Sequence, residues 1–381
     1  MGSFGRKHTC LGQYGPPPTP PAGAAPAGAA RQAGTYSDRM RAADDLPDPP
    51  SPAVRYLAVG PERHGVTRLA LQLARLSAHE YRWLQDLTRL PADTAGVTHL
   101  HVTDHLLGDS PAEAARRFAA LAAQGPCTVT LHDLPQSSDG DGRFGRRVDG
   151  YGAIVREAAG VVVSSEHERD LLHRCGIQPA RLAVIPLPLD VAASAPPAPP
   201  GPRPQHGPRE VGMLGYVYPG KGHDEALAVL PDLPTDVGLT VLGAPSPGHE
   251  RLVDELHASA AASGRRLRVS GWLPDEKLAA AARAVDVPLA WHRHISASGS
   301  IGSWLAAGRR PVVPVHPWTL ELERRCPGAL LLADDLGTAV RACLDDPART
   351  WLAPGTRLGP TAPEVAARYD DVLSAWAGEL A

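Results

Sequence analysis

VDVPLAWHRHISASGSIGSWLAAGRRPVV, residues 285–313, sets four elements in a row: a Val-rich strand, a Ser/Gly loop, an apolar helix and a second strand. A strand that passes through a helix into another strand is the unit of a parallel sheet. The loop carries the chemistry. Ser298, Gly299 and Ser300 are small enough for a ligand to approach the backbone, and the free N–H groups at the helix start form an anion site suited to a diphosphate. The plainer reading is a small-residue turn that lets the helix pack on the sheet.

The same alternation extends in both directions. Upstream stand EVGMLGY, a helix from about His223 to Leu230, VGLTVLG, HERLVDELHASAAA, RLRVSGW and DEKLAAAARA; downstream stands GALLLAD. The N-terminal half repeats the pattern, with strand-like VRYLAVG, THLHVTD, CTVTLHD, GVVVSS and RLAVIPLP separated by amphipathic helical stretches. Between the halves, AASAPPAPPGPRPQHGP has no apolar period and reads as a linker. The reading is therefore α/β, with two doubly wound Rossmann-like domains whose ligand loops face a cleft. The boundaries are a Pro/Ala/Gly-rich disordered tail over 1–51, an N-terminal domain over 52–190, a linker over 191–209, a C-terminal domain over 210–361, and a helix over 362–381 that packs back on the N-domain.

A second loop, GYVYPGKGHDEAL, again leads from a strand through glycines into a helix and places Lys221 where a diphosphate would meet it. Gly215, Gly220 and Lys221 nearly spell a Walker A motif, but Gly222 stands where Ser or Thr would bind magnesium and no acidic strand follows. In the N-terminal half, GPERHGVTR, HVTDHLLG and TLHDLPQ leave strand ends, so His132 and Asp133 become candidates. A histidine at such a place can bond a sugar hydroxyl or shuttle a proton near neutral pH. Two other groupings carry less. His292, Arg293, His294 and His316 lack a Cys or carboxylate at ligand spacing, and Ser165 reads as the cap of the helix EHERDLL rather than part of a nucleophile pair.

Composition narrows the classes. The 381 residues hold 41 acidic and 38 basic side chains, so net charge argues for neither nucleic acid nor a strongly anionic surface. Cys10, Cys127, Cys175, Cys326 and Cys343 are scattered without a C-x-x-C pair, which fits reduced thiols in a cytoplasmic protein. No run approaches the length of a spanning helix, leaving at most peripheral contact with a membrane. Lysine occurs only at positions 7, 221 and 277 while Arg and Ala abound, a skew of high-GC coding as in actinobacteria.

Taken in order, these stretches resemble GT-B glycosyltransferases of the family 4, or group 1, class over residues 54–381. GPERHGVTR, TLHD, VVVSSEHERDLL, LGYVYPGKG, GWLPDEKL and AAGRRPVV match the family's successive segments. The resemblance implies that Gly65 lies near the donor phosphate, that His132 faces the transferred sugar, that Lys221 with Gly215 and Gly222 meets the diphosphate, and that the Ser298–Ser300 loop holds phosphate and ribose. It places Trp272 and Leu273 beside the base. There are two departures. Tyr216 stands where the family has arginine, and Ile295 and Ser303 stand where it has the two glutamates of E-x7-E. The implied activity is transfer of a hexosyl group from a UDP- or GDP-sugar to an unidentified acceptor, with retention and without a metal. A catalytically reduced nucleotide-sugar binder and, ranked last, a sugar-nucleotide epimerase are the alternatives.

Overall fold

The computed structural model describes residues 54–88, 96–189, 207–293, 295 and 298–380. The expected tail over 1–51 and linker positions 191–206 lie outside the described residues. Among those described, twelve strands form two six-stranded parallel sheets. The first contains β1 (Val54–Val59), β2 (Glu80–Leu84), β3 (Val97–Val102), β4 (Cys127–Leu131), β5 (Gly160–Val163) and β6 (Leu182–Val184), in the order β2-β1-β3-β4-β5-β6. The second contains β7 (Arg209–Leu214), β8 (Val237–Leu242), β9 (Leu267–Val269), β10 (Val287–Leu289), β11 (Val312–Pro314) and β12 (Leu331–Ala333), in the order β12-β11-β10-β7-β8-β9. Two doubly wound α/β lobes are thus present, as the alternating pattern required.

The connecting helices of the first lobe are α1 (Gly65–Leu76), α2 (Asp104–Leu107), α3 (Pro111–Ala122), α4 (Asp141–Glu157) and α5 (Glu166–Arg174). Those of the second are α6 (His223–Val229), α7 (Glu250–Ala262), α8 (Asp275–Ala284), α9 (Gly299–Ala306), α10 (Pro317–Arg325) and α11 (Leu336–Asp345), and α12 (Ala362–Leu380) closes the chain. Every residue of β1, β3, β4 and β5 is buried, because helices cover both faces of a parallel sheet. One face of the first sheet packs Leu100, Val102, Val129 and Leu131 against Phe118 and Tyr151. The other face meets α1 and α12.

The last helix belongs to the first lobe by its contacts. Val365, Ala366, Tyr369, Leu373, Trp376 and Ala377 recur at helical spacing and bury against Val54, Tyr56, Leu73 and Val162. Gly160 makes room for this helix, since a Cβ there would lie 2.6 Å from the Trp376 ring. At its polar edge, Ser77 Oγ donates to the Asp370 carboxylate at 2.5 Å and the Ala78 amide donates to the same group at 3.0 Å.

Four elements had no sequence counterpart, the single-turn α2 within the HVTDHLLG loop among them. β2 is an edge strand whose residues are mostly exposed, so EYRWL lacks the alternation that marks a half-buried strand. α10 starts with Pro317 immediately after the strand-like VVPVH; proline is favoured at the first helical position, but so close behind a strand it reads as the strand's end. α11 follows GALLLAD with only its Asp335 cap to announce it. The helix expected over 223–230 ends at Val229 because a 3₁₀ turn over Leu230–Asp232, with Pro231 inside it, takes over.

Candidate functional site

In the second sheet the chain reverses its winding between β7 and β10, which are paired neighbours. Loops leaving the C-terminal ends of two such strands diverge and open a crevice. From β7 comes the 215–222 loop, with Gly215, Gly220 and Gly222 at positive φ. A Cβ on Gly215 would stand 3.2 Å from Lys221 Nζ, and one on Gly222 would overlap the carbonyl of Trp291. Gly222 therefore lets this loop lie against the one after β10, and Gly215 leaves space for the lysine.

From β10 comes α9, capped by Ser298, whose Oγ accepts from the Ile301 amide at 3.4 Å and sits 3.0 Å from Ser300 Oγ. Lys221 is 6% exposed. Its Nζ donates to Ser300 Oγ at 3.4 Å and lies 5.3 Å from the centroid of the Tyr218 ring. Burial pushes the lysine down to about 8. His292 Nε2 lies 3.4 Å from the same Ser300 hydroxyl. Burial, reinforced by Lys221, holds His292 well below its ordinary value and moves His223 down to about 4. The lysine thus sits among hydroxyls and neutral imidazoles at a helix N-terminus, with no carboxylate paired to it among the described residues. A buried cation so placed is costly unless an anion joins it.

The opposing wall is the end of β4. His132 is 5% exposed, and its Nε2 lies 3.0 Å from His101 Nδ1. Burial, with His64 adding to it, moves His132 down to about 4. A ring so lowered is neutral near pH 7, which favours the hydrogen-bonding role of His132 over proton shuttling. Asp133 follows at φ 49°, the left-handed region that non-glycine residues rarely adopt. The loop is held there from behind. Tyr151 Oη donates to the carbonyls of His132 at 2.8 Å and Asp133 at 3.2 Å, and Arg147 Nη2 donates to the Asp133 carbonyl. Arg147 is itself fixed by Asp104 at 3.2 Å and Asp139 at 2.7 Å. Lost hydration in the cleft raises the Asp133 carboxyl above its usual range, against the pull of Arg147.

A cavity of about 680 Å³ joins the two walls. His64, Gly65, His132 and Asp133 line it from the first lobe, and Ser298 and Gly299 from the second. Gly65 is the first residue of α1, where His64 Nδ1 accepts from the Val66 amide at 3.3 Å. Lys221 and Ser300 do not line it; they lie behind Ser298, to which Ser300 is bonded. Trp272 and Leu273 do not line the cavity: Trp272 is 59% exposed with the Arg63 guanidinium 5.5 Å above its ring, and Leu273 packs on the second-lobe core. Of the two positions that replace glutamates, Ile295 is buried in that core and Ser303 faces the cavity. Tyr216, in place of arginine, is exposed. His294, Ser296 and Ala297 lie outside the described residues. His316 caps α10, accepting from the Trp318 amide at 3.2 Å, and among the described residues no group of three or more His, Cys, Asp or Glu is placed to hold a metal ion.

Sequence reading passed over His64, His101, Arg147 and Tyr151, and weighed His292 only as a metal ligand. His101 had a signal: in THLHVTD, histidines alternate with apolar residues on a strand, so both point to one buried face. Arg147 and Tyr151 had none, since their contacts reach across from α4.

The same architecture recurs in solved structures. HepE of Anabaena in complex with UDP and glucose superposes with a TM-score of 0.61 at 14% identity, covering 86% of this chain and 99% of that one. Sucrose-phosphate synthase of Thermosynechococcus elongatus gives 0.58 at 17% identity, covering 86% and 97%. The lipopolysaccharide outer core galactosyltransferase WaaB gives 0.51 at 12% identity, covering 86% and 98%. The family model described as "Glycosyl transferase 4-like domain" matches residues 21–188. The chain thus has the two-lobed GT-B fold, and its first lobe is similar to the glycosyl transferase 4-like domain. No curated protein sequence matches the chain. The family match ends just past β6, so it includes His132 and Asp133, while Lys221 and α9 belong to the lobe beyond it. No helix among the described residues is long and apolar enough to cross a membrane.

Proposed function

We propose that this protein transfers a hexosyl group from a UDP- or GDP-sugar to an acceptor hydroxyl, with retention of configuration, in the cytoplasm. The observation that carries this reading is Lys221: a buried cation without a carboxylate partner, bonded to Ser300 at the start of α9, at the switch point of a doubly wound sheet. That is the arrangement a nucleoside diphosphate completes. The glycosyl transferase 4-like domain and the likeness to HepE, whose structure contains UDP and glucose, support the same reading.

In the proposed reaction the bond from the anomeric carbon to the diphosphate breaks, and the acceptor oxygen takes its place on the same face. Negative charge grows on the leaving diphosphate. Lys221 and the amides around Ser298–Ser300 stabilise that charge as it develops, in a site that excludes bulk water. His132 donates to the sugar and orients it. Asp133, held in its strained conformation, faces the acceptor side and takes up the hydroxyl proton, for which a raised carboxyl is suited. Incubation with radiolabelled UDP-, GDP- and ADP-sugars tests this, with donor hydrolysis expected even without an acceptor. Calorimetric binding of none of these sugars, with no turnover, rejects the reading.

A second reading rests on Ile295. An apolar side chain buried in the core cannot replace a glutamate that contacts the sugar, so the site would hold a nucleotide sugar without transferring it. Tight calorimetric binding without hydrolysis or transfer would favour this second reading.

A further inference from the structure

His132 is backed by a layer of buried polar side chains. His99 and His101 project from β3 onto one face of the first sheet, beside Thr128 and Thr130 of β4 and under Tyr369 of α12. His99 is bonded at both ring nitrogens, Nδ1 to Thr128 Oγ1 at 2.9 Å and Nε2 to Thr130 Oγ1 at 3.0 Å; Thr130 Oγ1 in turn lies 2.9 Å from Tyr369 Oη. His101 differs. Its Nδ1 meets His132 Nε2 at 3.0 Å, with the ring centroids 5.3 Å apart and the planes 21° from parallel, while its Nε2 is buried without a partner.

A single proton occupies the bond between the two rings, and its position fixes both tautomers, because a neutral imidazole carries one N–H. If His132 donated, the proton of His101 would sit on Nε2, giving an N–H buried with no acceptor. If His101 donates, only a lone pair is left there. Orphaned buried N–H groups are rarer than under-used acceptors. We infer that His101 donates through Nδ1–H and thereby holds His132 with its proton on Nδ1, the one remaining ring nitrogen and the one available to the cavity that His132 lines. His101 is a positioning residue: it makes His132 a fixed hydrogen-bond donor toward an oxygen of the ligand. A free imidazole prefers its proton on Nε2, so this state is imposed by the protein.

The inference uses the donor-sugar reading only for what the cavity holds; the tautomer itself is testable without a ligand. In ¹⁵N-histidine-labelled full-length protein, long-range ¹H–¹⁵N correlation reports the protonated nitrogen of each ring, and His132→Gln identifies the His132 signals. The expected result is a protonated Nδ1 and a bare Nε2. His101→Phe, which removes the donor, should move the proton to Nε2. His101→Asn, whose side-chain amide sits near the place of Nδ1, should restore the original pattern and shows that the change is not general loosening. A wild-type ring protonated at Nε2, or an unchanged tautomer in His101→Phe, overturns the inference. With UDP-glucose and UDP as probes, His101→Phe should lose about tenfold in affinity for the sugar nucleotide and little for UDP. If neither probe binds, the donor reading falls while the labelled-histidine experiment still decides the tautomer.

Discussion

Lys221 is where ligand affinity and folding pull apart. Its ordinary value of 10.5 falls to about 8 in the free protein, so below pH 8 the fold carries a buried charge that the unfolded chain would keep in water. The sign follows: the charged form is less stable folded than unfolded, the penalty amounts to about 3 kcal/mol at pH 7, and it fades as pH rises from 8 toward 10.5. Lys221→Met should therefore raise the melting temperature at pH 7 while weakening binding of the donor diphosphate by about 10- to 100-fold, a loss typical of a charge-assisted bond. A differential scanning and calorimetry pair would check both halves. In the wild type, donor affinity should fall as pH rises above 8, because a neutral lysine must first regain its proton. The residue was legible in the sequence because lysine is so scarce there. Its burial was not, since nothing in GYVYPGKG says how deep the loop after β10 will cover it.

At the scale of elements, most strands and the loops leaving them were readable from apolar runs, whereas the fastenings between elements were not. Arg309 shows why. In AAGRRPVV a pair of arginines reads as a solvated surface, yet Arg309 is 1% exposed and its guanidinium donates to the carbonyls of Ala282, Arg283, Val285, Asp286 and Thr350 and to Thr350 Oγ1. It also lies 4.2 Å from the centroid of the Trp351 ring. This one side chain ties the end of α8 to the turn before Trp351. Arg309→Lys keeps the charge but cannot reach those acceptors in a plane, and should cost about 3–5 kcal/mol of stability, read by urea unfolding. A different fastening joins the lobes: the Glu321 carboxylate of α10 accepts from the amides of Glu166 and His167, at 3.1 and 3.2 Å, at the start of α5. Glu321→Gln should lower the melting temperature slightly, by about 1 kcal/mol of helix-terminus stabilisation, with a larger effect at low salt.

For the molecule as a whole, an unusual share of its histidine is buried and neutral. His99 is moved down to about 3, His132 and His223 to about 4, and His101 and His292 lie well below the ordinary 6.5, all chiefly through burial. Unfolding lets each of them accept a proton once pH falls below 6.5, so stability is complete above that value and is lost as pH drops toward 4. Each histidine contributes a slope of about 1.4 kcal/mol per pH unit. Urea midpoints measured from pH 7 to 5 should fall steeply, and His99→Gln should flatten the curve. The tandem α/β architecture behind this could be read from the alternation alone, but the tiers of histidine between β3, β4 and α12 depend on a helix more than 200 residues downstream returning to the first sheet.

That return has a mechanical meaning. The backbone leaves the first lobe after Ile185 and comes back to it through the segment before α12, and the two passages are joined where the Leu189 amide donates to the Pro360 carbonyl at 2.8 Å. Two lobes tied at one point can swivel in any direction; two adjacent, bonded crossings remove torsion and leave bending about a line through Leu189 and Pro360. Bending about that line would part the lobes only if the Glu321 bridge between α10 and α5 let go, so the two crossings act as a spine and Glu321 as its clasp.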